Sequence, residues 1–248
     1  MAYKDFAKDY DRMMHDVDYD AWASYIDSFL RECKSKTVLD CACGTGNITL
    51  RLAQLGYAMT GSDLSEEMLF IAQEKARALG RCIPFVQQDM RKLRLHKPVD
   101  AIVCACDGVN YLRGKSDLSA FLRAAWQALK PGGLLVFDLS SVYKLAHILS
   151  DKQYFEDNDD YTYLWYNSYD PAARDCELTL SVFAREGEVY RRYDEVQVQH
   201  AFTQGEIETA LLACGFVDIR AYAAFTSEAP GAETERVQFV CRKEGGNG

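Results

Sequence analysis

The sequence predicts an α/β fold: a doubly wound, mostly parallel sheet of seven strands with an antiparallel last strand, plus an inserted antiparallel β-sheet. Three observations predict it. From Thr37 onward, short apolar runs alternate with amphipathic segments, the pattern of parallel strands joined by helices. Near residue 152 the apolar period drops to two, which is strand periodicity. After Gly215 two further runs read as a closing hairpin rather than another strand–helix unit. A chain of 248 residues with 48% hydrophobic composition has enough apolar surface for one such domain with an insertion.

Residues 1–36 read as two helices leading into the domain, because Phe6, Tyr10, Met13 and Met14, then Tyr19, Trp22, Ile26, Phe29 and Leu30, recur every three or four positions. The core, 37–151, places strands near 37–41, 57–62, 83–88, 99–104 and 133–138. Its helices start near Gly46, Ser65 and Asp117, with Ser65 before Glu66 and Glu67, and Asp117 before Leu118, as caps. In the insertion, 152–201, Tyr161, Tyr163, Trp165, Asn167 and Tyr169 alternate with Thr162, Leu164, Tyr166 and Ser168. A turn at Asp170-Pro171 leads to Leu178, Leu180 and Val182 on one face, and Glu186-Gly187-Glu188 leads to a third run ending near His200. In the last segment, 202–248, a helix from Glu206 to Cys214 stops at Gly215, and 216–225 with 235–242 form the hairpin.

The formal net charge of -9 disfavours a partner recognised by phosphate neutralisation, so nucleic acid is not the expected substrate. Arg91, Lys92, Arg94, His96 and Lys97 cluster, but such a run reads first as a solvated loop or helix end. Nine cysteines include the pairs Cys41/Cys43 and Cys104/Cys106, without Cys-x-x-Cys spacing or a nearby histidine; no metal is expected, and reduced thiols fit a cytoplasmic protein. The opening Met1-Ala2-Tyr3-Lys4-Asp5 lacks an apolar signal core, and no run is long enough for a membrane span.

The segment Val38-Leu39-Asp40-Cys41-Ala42-Cys43-Gly44-Thr45-Gly46-Asn47-Ile48-Thr49 runs from a buried strand through a tight turn into a helix. Gly44 and Gly46 let a ligand approach the backbone, and the amides opening the helix favour a polar or anionic group. A dinucleotide fingerprint needs glycine at position 49, where this chain has Thr49. The second strand ends at Gly61-Ser62-Asp63, where Asp63 is placed to accept from both hydroxyls of a ribose. The third ends at Gln87-Gln88-Asp89-Met90, an acceptor beside an apolar side chain suited to an adenine amino group and ring. Each acid also has a local reading: Asp40 and Asp63 as caps, Asp89 as a solvated loop residue. Their coincidence at successive strand ends favours one shared crevice.

With these residues the chain resembles the class I S-adenosylmethionine-dependent methyltransferases, Rossmann-like enzymes whose three segments hold the methionine moiety, the ribose and the adenine. The resemblance covers about residues 37–140, including the turn Lys130-Pro131-Gly132-Gly133 before the fifth strand. It departs from the family at Ala42, where D-x-G-x-G-x-G has its first glycine. It implies S-adenosyl-L-methionine as cofactor, with Asp40, Ala42, Cys43, Gly44, Gly46, Asn47, Asp63, Leu64, Met68, Asp89, Met90 and Cys106 around it.

The fourth strand leads into Ala105-Cys106-Asp107-Gly108-Val109-Asn110-Tyr111-Leu112, without the Asn/Asp-Pro-Pro-aromatic tetrad of enzymes methylating nucleobase or glutamine amino groups, and without the Pro-Cys of cytosine C5 enzymes. The N-terminal stretch Tyr3 to Trp22 and the Trp165 to Tyr169 run resemble the elements covering the acceptor in small-molecule methyltransferases. They read equally as a water-excluding lid or as packing and dimer surface. The expected reaction is methyl transfer to N or O of a small-molecule acceptor by a monomer or homodimer. An RNA-modifying enzyme, a nicotinamide-dependent oxidoreductase and a cofactor-binding module without turnover are the alternatives. Alignment and electrostatics can carry such a displacement; if a base removes an acceptor proton, His200 is the first candidate, with Tyr10 and Glu195 behind it.

Overall fold

A computed structural model describes residue 7 and residues 9–245, so Tyr3 and Phe6 of the N-terminal pattern lie outside the described residues. A short helix, α1 (Tyr10–Met13), precedes α2 (Tyr19–Glu32), whose N-terminus is capped by the Asp18 carboxylate accepting from the Ala21 N–H at 2.8 Å. Trp22, Ala23, Ile26, Phe29 and Leu30 are the buried stripe of α2 and pack against Val38, Val103, Leu134 and Val136 of the main sheet.

The core runs β1 (Thr37–Cys41), α3 (Asn47–Gln54), β2 (Ala58–Asp63), α4 (Glu66–Ala78), β3 (Phe85–Gln87), β4 (Val99–Cys104), α5 (Gly114–Ala128) and β5 (Leu129–Ser140). The insertion follows as β6 (Gln153–Asp157), β7 (Tyr161–Asp170), β8 (Asp175–Glu186) and β9 (Val189–His200). The chain then returns through α6 (Gln204–Ala213), β10 (Phe216–Ala223) and β11 (Arg236–Lys243). The seven-stranded sheet has the order β10-β11-β5-β4-β1-β2-β3, with β11 antiparallel to both neighbours, and β6 to β9 form a separate antiparallel sheet. The strand order reverses between β1 and β4, which opens a crevice at their carboxyl ends.

Two details differ from the sequence reading. Helix α5 begins at Gly114, not Asp117; the Asp117 carboxylate instead accepts from Arg91 Nη1 at 2.9 Å. The insertion has four strands where three runs were legible, because β6 is mostly exposed, pairs only with β7 and carries no apolar alternation. Ser65 caps α4 as expected, accepting from the Met68 N–H, and α6 opens on a Thr203–Glu206 capping box. One face of the insertion, with Tyr161, Leu180, Val182 and Tyr193, packs on Met13 and on Met68 of α4, seating it over the crevice.

All nine cysteines are free thiols. Among the described residues, no group of three His, Cys, Asp or Glu side chains is placed to hold a metal, and no helix is long and apolar enough to cross a membrane.

Candidate active site

The turn after β1 holds three residues in the left-handed region: Ala42 at φ +57°, Gly44 at +53° and Gly46 at +78°. The two glycines do different things. A Cβ built on Gly44 meets nothing within 4 Å, so its backbone borders open space. A Cβ on Gly46 would lie 3.0 Å from the Ala72 Cβ, so this glycine lets α3 start against α4 rather than making room for a ligand. Ala42 sits where an L-residue is disfavoured by about 1–2 kcal/mol. A Cβ on Gly108 would come within 3.1 Å of the Ala42 methyl, so Gly108 leaves space for it.

The acids at the strand ends are already engaged by the backbone or by neighbouring side chains. Asp63 accepts from the Gly44 N–H at 2.8 Å and the Ser65 N–H at 2.9 Å, and burial raises its pKa. Asp40 accepts from the Thr49 hydroxyl in a buried setting that pushes its carboxyl up to about 7. Asp89 is gripped by the Arg91 guanidinium, which holds it below the ordinary carboxylate range. Arg91 thereby leaves the basic cluster, since its charge is matched by Asp89 and Asp117.

These strand ends open into one cavity of about 990 Å³. Asp40, Ala42, Cys43, Gly44 and Asn47 line it from the first turn; Asp63, Leu64 and Met68 from the second; Asp89 and Met90 from the third; and Cys106 from the fourth. Gly46 is not among its walls. The N-terminal segment closes one side with Tyr10, Met13, Tyr19 and Trp22, and the insertion closes another with Tyr163, Trp165, Leu178 and Leu180. Asp11 straps that segment down, accepting from Thr45 Oγ1 at 2.6 Å, Asn47 Nδ2 at 2.8 Å and Lys75 Nζ at 2.8 Å. Burial pushes the Asp11 carboxyl up, but these donors outweigh it and hold it low. The Asn47 side chain is thus committed to the strap, its Oδ1 accepting from Lys75 at 2.6 Å. Asp9 adds a tie to the insertion, accepting from the Tyr193 hydroxyl at 3.0 Å.

The far end of the cavity carries a charged network that the sequence reading did not assemble. Cys106 and Asp107 are consecutive left-handed residues at φ +58° and +55°, strain of a kind that collects at functional sites. Arg236 Nη1 donates to Asp107 Oδ1 at 2.6 Å and to Asp138 Oδ2, and Asp138 also accepts from the Asp107 N–H at 3.0 Å. Gln199 Nε2 donates to Asp107 Oδ2 at 2.8 Å. Burial raises both carboxyls; the Arg236 charge outweighs it for Asp107, which lies low, while Asp138 stays raised. Asp138 within the apolar run of β5 was the available signal, because a charge buried in a strand needs a partner.

His200 does not reach this cavity. Its Nδ1 lies 2.7 Å from Asp175 Oδ1 and its ring meets the edge of Phe202, with centroids 4.6 Å apart. Successive side chains of a strand point to opposite faces, so Gln199 contacts Asp107 where the histidine was expected to act. Glu195 is also absent from the cavity walls. Tyr10 is present there, with its phenol raised well above the ordinary range by burial and by neighbouring Tyr19 and Cys106.

A doubly wound sheet of this order, with acids at three successive strand ends facing one cavity, defines a class: proteins that hold a nucleoside-bearing cofactor at the switch point. A family model described as a methyltransferase domain matches residues 38–133. The putative methyltransferase YqeM of Bacillus subtilis (strain 168) is 38% identical over 244 residues, covering 98% of each chain. A solved S-adenosylmethionine-dependent methyltransferase from Clostridium acetobutylicum ATCC 824 superposes with a TM-score of 0.88 at 32% identity, covering 98% of this chain and 99% of that one. A dTDP-3-amino-3,4,6-trideoxy-alpha-D-glucopyranose N,N-dimethyltransferase of Streptomyces venezuelae is 27% identical over 203 residues, covering 80% and 83%. The chain belongs to the class I S-adenosylmethionine-dependent methyltransferases and is an enzyme with S-adenosylmethionine as its cofactor.

Proposed function

We propose that the enzyme transfers a methyl group to a nitrogen or oxygen of a small-molecule acceptor held in the inner half of the cavity. The observation carrying this reading is a shared space: the strand ends and the aromatic walls line one cavity of about 990 Å³, the upper end of the range for small-molecule sites. The strand-end half suits the cofactor. Asp63 keeps acceptor capacity for ribose hydroxyls, Met90 suits an adenine ring with Asp89, whose oxygens are held by Arg91, at its edge, and the Gly44 backbone with Asp40 and Cys106 suits the methionine end. When bound, S-adenosylmethionine supplies an electrophilic methyl group on a sulfonium.

The chain's own residues then align the acceptor and exclude water. Trp22, Trp165 and the Asp11-strapped helix α1 wall part of the space and present apolar surface that limits water around the acceptor. Tyr10, with its raised phenol pKa, acts as a hydrogen-bonding group for the acceptor and not as a base. An amine is the preferred acceptor, a reading supported by the Streptomyces venezuelae N,N-dimethyltransferase and by ring faces that favour a cation. The matching of Arg91 by two carboxylates weakens the RNA reading.

The test is incubation of the enzyme with methyl-labelled S-adenosylmethionine and a fractionated cell extract. Label is expected in compounds below about 1 kDa, with S-adenosylhomocysteine formed in step. Label in RNA or protein would overturn the small-molecule reading, and S-adenosylhomocysteine binding without turnover in any fraction would leave a binding module.

A further inference from the structure

Two cations lining the cavity keep hydrogen-bond donors to spare, although acids lie near both. Lys144 opens a single π-helical turn, Lys144–Leu149, directly after β5, a local irregularity often found at functional sites. It lines the cavity, and its ammonium makes no ion pair or hydrogen bond among the described residues. Its charged surroundings are Arg236, Asp107, Glu235 and Asp138. Burial and the Arg236 charge lower its pKa despite those three acids. Arg236 beside it holds Asp107 and Asp138 through Nη1 alone, so Nη2 and Nε have no bond among the described residues and neither is sealed from solvent space. The guanidinium lies over the Trp22 ring, 5.5 Å from its centroid, which fixes its plane. A planar fork with free donors beside an ammonium that makes no hydrogen bond is the chemistry that recognises a carboxylate or phosphate.

From this geometry we propose that Lys144 and the free edge of Arg236 form an anion subsite, and that the acceptor carries a carboxylate or phosphate besides the atom that is methylated. The inference rests on the inner half of the cavity being the acceptor site. Trp22, Tyr111 and Trp165 wall the same space, so a flat ring bearing the anion is a fitting probe.

The experiment is calorimetric titration of the full chain, saturated with S-adenosylhomocysteine, with benzoate, phenyl phosphate and the neutral isostere benzamide. One of the two anions is expected to bind at least tenfold more tightly than benzamide, and the better one identifies the anion. Lys144→Gln should weaken that anion at least tenfold, Lys144→Arg should restore most of it, and S-adenosylhomocysteine affinity should stay within twofold in both variants. Equal or absent binding of anions and benzamide to the unmodified enzyme would overturn the subsite, as would anion binding indifferent to Lys144→Gln. Failure of S-adenosylhomocysteine to bind at all would instead remove the reading of the cavity on which the subsite rests.

Discussion

The two halves of the cavity are built on different principles. The half we assign to the cofactor comes from three consecutive strand–turn units, with Asp40, Asp63 and Asp89 each one strand end further along the chain. The half we assign to the acceptor joins Tyr10, Tyr111, Lys144, Trp165, Gln199 and Arg236, drawn from the N-terminal helices, two strand ends, the insertion and the last strand. The first half is held by backbone amides and small residues, the second by buried charge. Damage to the first should therefore appear as lost cofactor affinity or local strain, and damage to the second as lost folding stability.

The largest expected effect tests the second half. Arg236→Met leaves Asp107 and Asp138 buried without their cation, a loss of about 3–5 kcal/mol for a broken buried pair. Urea unfolding should show it as a lower midpoint at neutral pH. A change under about 1 kcal/mol would mean the acids are neutral or rehydrated in the folded state, and the contrast between the halves would fail.

The two glycines of the first turn separate strain from binding. Gly46→Ala places a Cβ 3.0 Å from Ala72 at a left-handed position, so a stability loss of about 2–4 kcal/mol is expected. Gly44→Ala meets no protein atom and should cost about 1–2 kcal/mol of stability, yet it projects a methyl into the cavity. Its S-adenosylhomocysteine affinity should fall at least tenfold by calorimetry. An unchanged affinity would mean that the cofactor does not approach this backbone.

What the sequence made legible follows the same division. The strand ends carrying Asp40, Asp63 and Asp89 were readable because the chain passes from strand to turn to helix within a few residues, and local periodicity marks each passage. The strap from Asp11 to Thr45 and Asn47, and the Arg236 link to Asp107 and Asp138, join residues 34 to 129 positions apart, which no local pattern reports. His200 was misplaced for a related reason: a strand's end was legible, but which face of it met the cavity depended on how the insertion docks. Strand β6 was missed because an exposed edge strand needs no apolar alternation.

Asp40 gives the cofactor half a pH signature. Its folded pKa, raised to about 7 by burial, lies above the unfolded value of about 3.9, so the folded state binds the extra proton. Stability should therefore fall as pH rises from about 4 to 7, by about 4 kcal/mol from this group at about 1.4 kcal/mol per pH unit, and level off above. Asp40→Asn should flatten that slope in denaturant midpoints measured at pH 5 and pH 8. An identical slope in both proteins would assign it to other groups.

The smallest expected effect concerns the residue at which this chain departs from the family's glycine. Ala42 at φ +57° carries about 1–2 kcal/mol of backbone strain that glycine would relieve, while glycine costs about 0.5–1 kcal/mol more entropy on folding. The balance predicts that Ala42→Gly gains about 0.5–1 kcal/mol, a rise of about 1–4 °C in Tm for a chain of this size. A fall in Tm would mean that the methyl's packing beside Gly108 outweighs the strain, making the two positions a matched pair. Gly108→Ala could not then rescue the variant, because its Cβ would still meet the Cys104 sulfur at 2.8 Å. The small residue at 108 is thus required by β4 itself, and the methyl at 42 occupies space that β4 had already left open.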